Sequence, residues 1–126
     1  MKIILDTNFI LTCIENKIDL FSQLYENFPE AELVIPERVL DELERIKENK
    51  EMRMIEREAA NLALQILQKE QVKTIRLEGN VDDAIVDYAL QEKNVIVASL
   101  DKGVQKAVKK KARILTIKQK KLIRLI

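Results

Sequence analysis

Four acidic side chains in this sequence are spaced so that they could act together on one substrate. Asp6 closes the apolar run Ile3-Ile4-Leu5, and Asp101 follows the run Val95-Ile96-Val97-Ala98 at short range. Glu42 lies in a stretch of helical periodicity, and Asp83 is the second of two adjacent acids, Asp82-Asp83, at the start of another. The chain contains no histidine and a single cysteine, Cys13. Imidazole acid/base chemistry, Ser-His-Asp triads and His- or Cys-ligated zinc are therefore excluded. Hydrolytic chemistry must run on carboxylates, Lys, Tyr or hydroxyls. Carboxylates gathered in one place repel one another until protons or a cation neutralise them. An oxygen-only donor set suits Mg²⁺ or Mn²⁺, which keep waters and accept phosphate oxygens as further ligands. Such an ion polarises a phosphodiester and lowers the pKa of a bound water.

The elements that must bring these acids together can be read from periodicity. Lys2–Leu5 is a buried strand and 8–16 a short helix. Phe21, Leu24, Tyr25 and Phe28 recur at helical spacing over 18–28, and Pro29 ends that helix. A short strand is expected at 32–35, with Pro36 in the first turn of the next helix, where its missing N–H costs nothing. Val39, Leu40, Leu43 and Ile46 form the apolar stripe of that helix. At ~100° per residue, Glu42 lies roughly a quarter turn from the stripe's centre, whereas Asp41 points nearly opposite. Pairing with Arg38 or Arg45 is the alternative fate for Glu42. A long helix carries Ile55, Ala59, Leu62, Ala63, Ile66 and Leu67. A strand follows at 72–77, then the helix Val81–Gln91 with Asn80 or Asp82 as its cap. The strand Val95–Ala98, a helix over 103–110 and a final strand at 113–117 complete the pattern. Asp87 reads as a surface acid.

Strands that alternate with helices imply βαβ units: a single three-layer α/β/α domain over 1–126 with a mostly parallel sheet covered on both faces. The strands are continuously apolar, as burial on both faces requires. In open α/β sheets the ligand crevice lies beyond the C-terminal ends of the strands. Asp6 and Asp101 would meet there.

The 126 residues suit one domain. The net charge of +1 hides an asymmetry: ten of the 22 Lys/Arg and only one of the 21 acids lie from Asp101 onward. A basic C-terminal quarter on an acidic body suggests a polyanionic partner. No stretch approaches ~20 consecutive apolar residues, and the first apolar run meets Asp6 too soon for a signal peptide. The expected location is cytoplasmic, with no membrane partner. Cys13, set among Ile10, Leu11 and Ile14, reads as a small buried residue.

Taken in order, four motifs resemble those of the PIN-domain family. Ile3-Ile4-Leu5-Asp6-Thr7-Asn8 is similar to the family's opening. Ile35-Pro36-Glu37-Arg38-Val39-Leu40-Asp41-Glu42-Leu43 resembles its second motif, with Glu42 at the acidic position. Val81-Asp82-Asp83-Ala84-Ile85-Val86 resembles the third, with Asp83 as the ligand and Asp82 competing for the place. Val95-Ile96-Val97-Ala98-Ser99-Leu100-Asp101 resembles the fourth. The paired Asp82-Asp83 and the basic run through Ile117-Lys118-Gln119-Lys120-Lys121-Leu122 lean toward archaeal PIN proteins of the ribosomal-RNA-processing kind. Toxin-type PIN proteins (the VapC kind) are the neighbouring group. The resemblance implies a Mg²⁺- or Mn²⁺-dependent endoribonuclease with Asp6, Glu42, Asp83 and Asp101 as both catalytic and metal-holding residues. It further implies that Thr7, Asn8 and Ser99 hold those carboxylates by hydrogen bonds, and that the Lys/Arg residues after Asp101 contact RNA phosphates. The implied substrate is single-stranded RNA or a structured rRNA precursor. A homodimer is carried over from the family, and an antitoxin partner belongs to the toxin reading. Other readings are a PIN module that binds RNA without cutting and a phosphatase of the haloacid-dehalogenase kind. The latter needs a second Asp two residues after Asp6, where this chain has Asn8.

Overall fold

A computed structural model describes residues 1–126. Its elements in chain order are β1 (Lys2–Leu5), α1 (Thr7–Glu15), α2 (Leu20–Asn27), β2 (Glu32–Pro36), α3 (Glu37–Glu48), α4 (Met54–Lys69), β3 (Lys73–Ile75), α5 (Val81–Gln91), β4 (Val95–Ala98), α6 (Lys102–Val108), β5 (Arg113–Lys118) and β6 (Leu122–Leu125). The strands form one sheet in the order β3-β2-β1-β4-β5-β6. The first five are parallel, and β6 runs antiparallel to β5. Helices α1 to α4 pack among themselves, as do α5 and α6. The fold is an α/β sandwich with a mostly parallel sheet, as the alternation of strand and helix patterns predicts.

Burial on both faces explains why β1 and β4 are apolar without interruption. Ile3, Ile4, Leu5, Val97 and Ala98 have no exposed surface. Removing such side chains from water contributes ~25 cal/mol per Å² of apolar area. These two central strands are therefore a firm base for the acids at their C-terminal ends. Strand order grows outward from β1 through β2 to β3, then returns to β4 on the other side of β1. The crevice between the C-terminal ends of β1 and β4 is therefore the topological switch point, where doubly wound sheets place their ligands. Leu5 and Ala98 are in register, and the Asp6 N–H donates to the Ala98 carbonyl at 3.0 Å. Asp6 and Ser99 thus leave the sheet side by side.

The sequence pattern ends with the strand at 113–117, but the chain continues into a hairpin. Gln119 and Lys120 both adopt positive φ (53° and 56°), and the Lys121 N–H donates to the Lys118 carbonyl at 3.0 Å. This backbone is that of a type I′ turn, which ordinarily carries Asn or Gly. The outer edge of β6 is closed by a side chain: the Gln23 amide accepts from the Ile123 N–H at 2.9 Å and donates to the Lys121 carbonyl at 3.0 Å. Pro36 ends β2 and caps α3 instead of opening it. Cys13 is fully buried, and burial raises its thiol pKa to about 12. No helix is long and apolar enough to cross a membrane.

Candidate active site at the sheet switch point

Asp6 sits at the N-cap of α1 but caps nothing with its side chain. Its carboxylate is turned into the crevice, 3% exposed, where the Ser99 hydroxyl donates to Oδ2 at 2.7 Å. Burial, which disfavours the charged form, is the largest influence on this group and lifts its pKa from 3.8 to about 6. The Ser99 hydrogen bond opposes that rise, and the negative fields of Asp82 and Glu42 add to it.

Ser99 joins two of the acids. While its hydroxyl donates to Asp6, the oxygen accepts from the Asp101 N–H at 3.2 Å. Asp101 caps α6, with Oδ1 accepting from the Val104 N–H at 3.0 Å, which fixes its carboxylate at the mouth of the crevice. The turn between β4 and α6 is braced by buried Gln105, whose Nε2 donates to the Ser99 carbonyl at 2.7 Å. Sequence reasoning does not single out Gln105. The signal for it is an uncharged polar residue between Val104 and Val108 on the buried face of α6.

Glu42 reaches the same place from α3. The Thr7 hydroxyl donates to Glu42 Oε1 at 2.6 Å, and neither Arg38 nor Arg45 pairs with it; the chain's two ion pairs are Arg53–Glu56 and Lys73–Glu32. Thr7 and Ser99 therefore hold carboxylates, as the resemblance implies. Asn8 does not: it is exposed and its amide bonds to none of the acids.

The two acids that open α5 differ. Asn80 is the cap, accepting from the Asp83 N–H at 2.9 Å, and its Nδ2 donates to Asp83 Oδ2 at 3.1 Å. Asp83 is thus tied back to the helix start. Asp82 lies in the field of the site: partial desolvation, then the charges of Asp101, Glu42 and Asp83, raise its pKa. Asp82, Asp83, Asp87 and Asp101 line a groove of about 460 Å³ between α5 and α6. Asp87, read from sequence as a surface acid, is exposed at that groove.

In this arrangement no three of the acidic side chains stand close enough to enclose an ion. The donor set is nonetheless all oxygen. The acids carry no ion pair, and the innermost already resists ionisation. These features fit a hard divalent cation that keeps part of its water shell.

A family described as PIN like domain matches residues 3–120. The chain is 32% identical over 123 residues to Ribonuclease VapC4 of Methanocaldococcus jannaschii, covering 95% of this chain and 92% of that protein. Among solved structures it is similar to the PIN domain endonuclease Utp24, with a TM-score of 0.78 and 29% identity, covering 98% of this chain and 90% of that one. A domain of a functionally unknown protein from Methanocaldococcus jannaschii shares the fold at a TM-score of 0.55 and 20% identity, over 99% and 97% of the two chains.

Proposed function

The chain belongs to the PIN-like domain family, and from that premise we propose that it is an endoribonuclease that uses Mg²⁺ or Mn²⁺. The observation that carries this reading is the pair of hydrogen-bonded links at the switch point, Asp6–Ser99–Asp101 and Thr7–Glu42, which gather acids from three separate elements beside Asp82-Asp83.

Asp6, Glu42 and Asp101 would hold the ion together with one of the α5 acids. The sequence motif assigns that place to Asp83. The fields that join Asp82 to Asp6, Glu42 and Asp101 support Asp82 instead, with Asp83 kept at the helix start by Asn80. When bound, the ion supplies charge stabilisation for the scissile phosphate and a water of lowered pKa. The chain's own residues do the positioning. Ser99 fixes Asp6 and the Asp101 backbone through one hydroxyl. Thr7 occupies Glu42 Oε1 and leaves Oε2 free to accept a hydrogen bond from the attacking water. With a pKa of about 6 Asp6 is largely ionised at neutral pH, and a cation in the crevice would offset the cost of burying that charge.

Two cellular roles are open to such an enzyme. The likeness to the PIN domain endonuclease Utp24 supports endonuclease action, and the motifs that resemble archaeal PIN proteins of the ribosomal-RNA-processing kind support an rRNA precursor as the substrate. The likeness to Ribonuclease VapC4 supports ribonuclease action, and the resemblance to toxin-type PIN proteins of the VapC kind supports a toxin paired with an antitoxin. Growth arrest on expression, relieved by a neighbouring gene product, marks the toxin; altered precursor-rRNA ends after deletion mark the processing enzyme. The activity itself is tested by incubating wild type and Asp6→Asn with single-stranded RNA in Mn²⁺. The expected loss is at least ~100-fold, the upper end of what disturbing a metal ligand's hydrogen-bond partners costs. Equal cleavage by both proteins would remove the enzyme reading.

A further inference from the structure

The basic residues of the C-terminal quarter do not share one surface. The parallel strands divide the molecule into a C-terminal rim, where Asp6 and Asp101 lie, and an opposite rim where strands begin. Lys109 and Lys110 follow α6 and precede β5, so they lie toward the opposite rim. Lys118, Lys120 and Lys121 belong to the turn after β5 and lie on the acids' side. The last β4–β5 register pair is Leu115↔Ala98, and β5 runs on to Lys118. Those three residues carry the turn ~10 Å beyond the end of β4, so it stands as a basic wall beside the crevice. Gln23 anchors its base through the Lys121 carbonyl and the Ile123 N–H.

A second basic group flanks the acids on the far side. Arg38 and Arg45 lie on α3 one turn before and one turn after Glu42, on the same flank of the helix but turned further toward solvent. Both are exposed, and neither has a carboxylate within 4.0 Å, although Asp41 stands at i+3 and i−4 to them and Glu48 at i+3 to Arg45. Lys118, Lys120 and Lys121 are likewise exposed and unpaired. In the sheet order β2-β1-β4-β5, the α3 arginines follow β2, the acids follow β1 and β4, and the lysines follow β5. Three strand spacings of ~4.8 Å set the ends of β2 and β5 ~14 Å apart, with the ends of β1 and β4 between them.

We propose that Arg38 and Arg45 on one side and Lys118, Lys120 and Lys121 on the other form a phosphate-binding track that lays single-stranded RNA along the C-terminal rim, across the acids, while Lys109 and Lys110 take no part. This rests on the nuclease reading for its substrate class. Phosphate contacts fix register and orientation without reading sequence, so these are positioning residues. Each flanking contact also offsets the repulsion that a polyanion meets at four carboxylates.

The test is binding of a labelled single-stranded RNA oligonucleotide in EDTA, which keeps the RNA intact, measured against KCl concentration. Each lost contact removes ~0.7 from the slope of log affinity on log salt. Arg38→Gln/Arg45→Gln should flatten the slope by ~1.4 and weaken binding ~25-fold at 0.1 M salt. Lys118→Gln/Lys120→Gln/Lys121→Gln should flatten it by ~2.1. Lys109→Gln/Lys110→Gln should keep the wild-type slope. The track is overturned if the rim variants keep the wild-type slope or the Lys109/Lys110 variant loses as much as they do. Cleavage in Mn²⁺ is assayed separately. RNA binding with the expected slopes but no cleavage leaves the track standing and removes the nuclease reading, whereas intact cleavage with unchanged slopes does the reverse.

Discussion

Replacing Asp6 with Asn should make the metal-free protein more stable while removing its activity. Asp6 is 3% exposed, and its pKa in the folded protein is about 6 against an ordinary 3.8. The unfolded chain releases this proton more easily than the folded one. Ionisation therefore costs nothing in stability below about pH 4 and reaches its full cost above about pH 6. That gap, at about 1.4 kcal/mol for each pKa unit, is about 3 kcal/mol at pH 7, carried by one carboxylate. The asparagine amide would keep an oxygen able to accept from Ser99 but would have no charge to bury. In a domain of this size, about 3 kcal/mol corresponds to roughly 10 °C in Tm. Thermal unfolding in EDTA at pH 7 should show the gain. Between pH 4 and 6 wild type should lose more stability as pH rises than Asp6→Asn, in which Asp82 is left as the acid of raised pKa. Adding Mn²⁺ should recover stability for wild type and much less for the variant. An Asn variant no more stable than wild type in EDTA, with a parallel pH profile, would refute the reasoning that burial strains this carboxylate.

Three further outcomes are expected from the same contacts. Asp82→Asn should impair cleavage more than Asp83→Asn, since Asp82 couples to Asp6, Glu42 and Asp101 while Asp83 is bound to Asn80; parallel rate measurements at saturating Mn²⁺ decide it. Ser99→Ala removes a donor to Asp6 and an acceptor for the Asp101 N–H in a fully buried place. It should cost about 1–3 kcal/mol in denaturant melts and move the Asp6 titration to higher pH, readable by NMR. Lys120→Gly should stabilise the β5–β6 hairpin by about 1 kcal/mol, the cost a side chain meets at positive φ, as seen in the urea midpoint.

How far this molecule is legible in its sequence depends on where the determinants lie. The strands β1 and β4 announce themselves because burial on both faces demands unbroken apolar runs, and the acids that end them mark the rim. Glu42 is legible from its angle to the α3 stripe. The hairpin is not, because Gln119-Lys120 adopts a backbone usually signalled by Asn-Gly and the tail reads as a charge run. Gln105 escapes because its partner is the Ser99 backbone carbonyl, which no side-chain pattern records. Asp82 and Asp83 are chemically identical neighbours; what separates them is the hydrogen bond from Asn80, a matter of local capping geometry. The division of the lysines between two rims depends on strand direction and emerges only once the sheet order is known.

The most direct test of the central claim is a crystal soaked in Mn²⁺ with data collected at the manganese edge. The expected result is an anomalous peak at the C-terminal ends of β1 and β4, within reach of Asp6, Glu42, Asp101 and an α5 acid, and no such peak in Asp6→Asn crystals. A manganese ion bound only elsewhere, or none at saturating concentration, would contradict it.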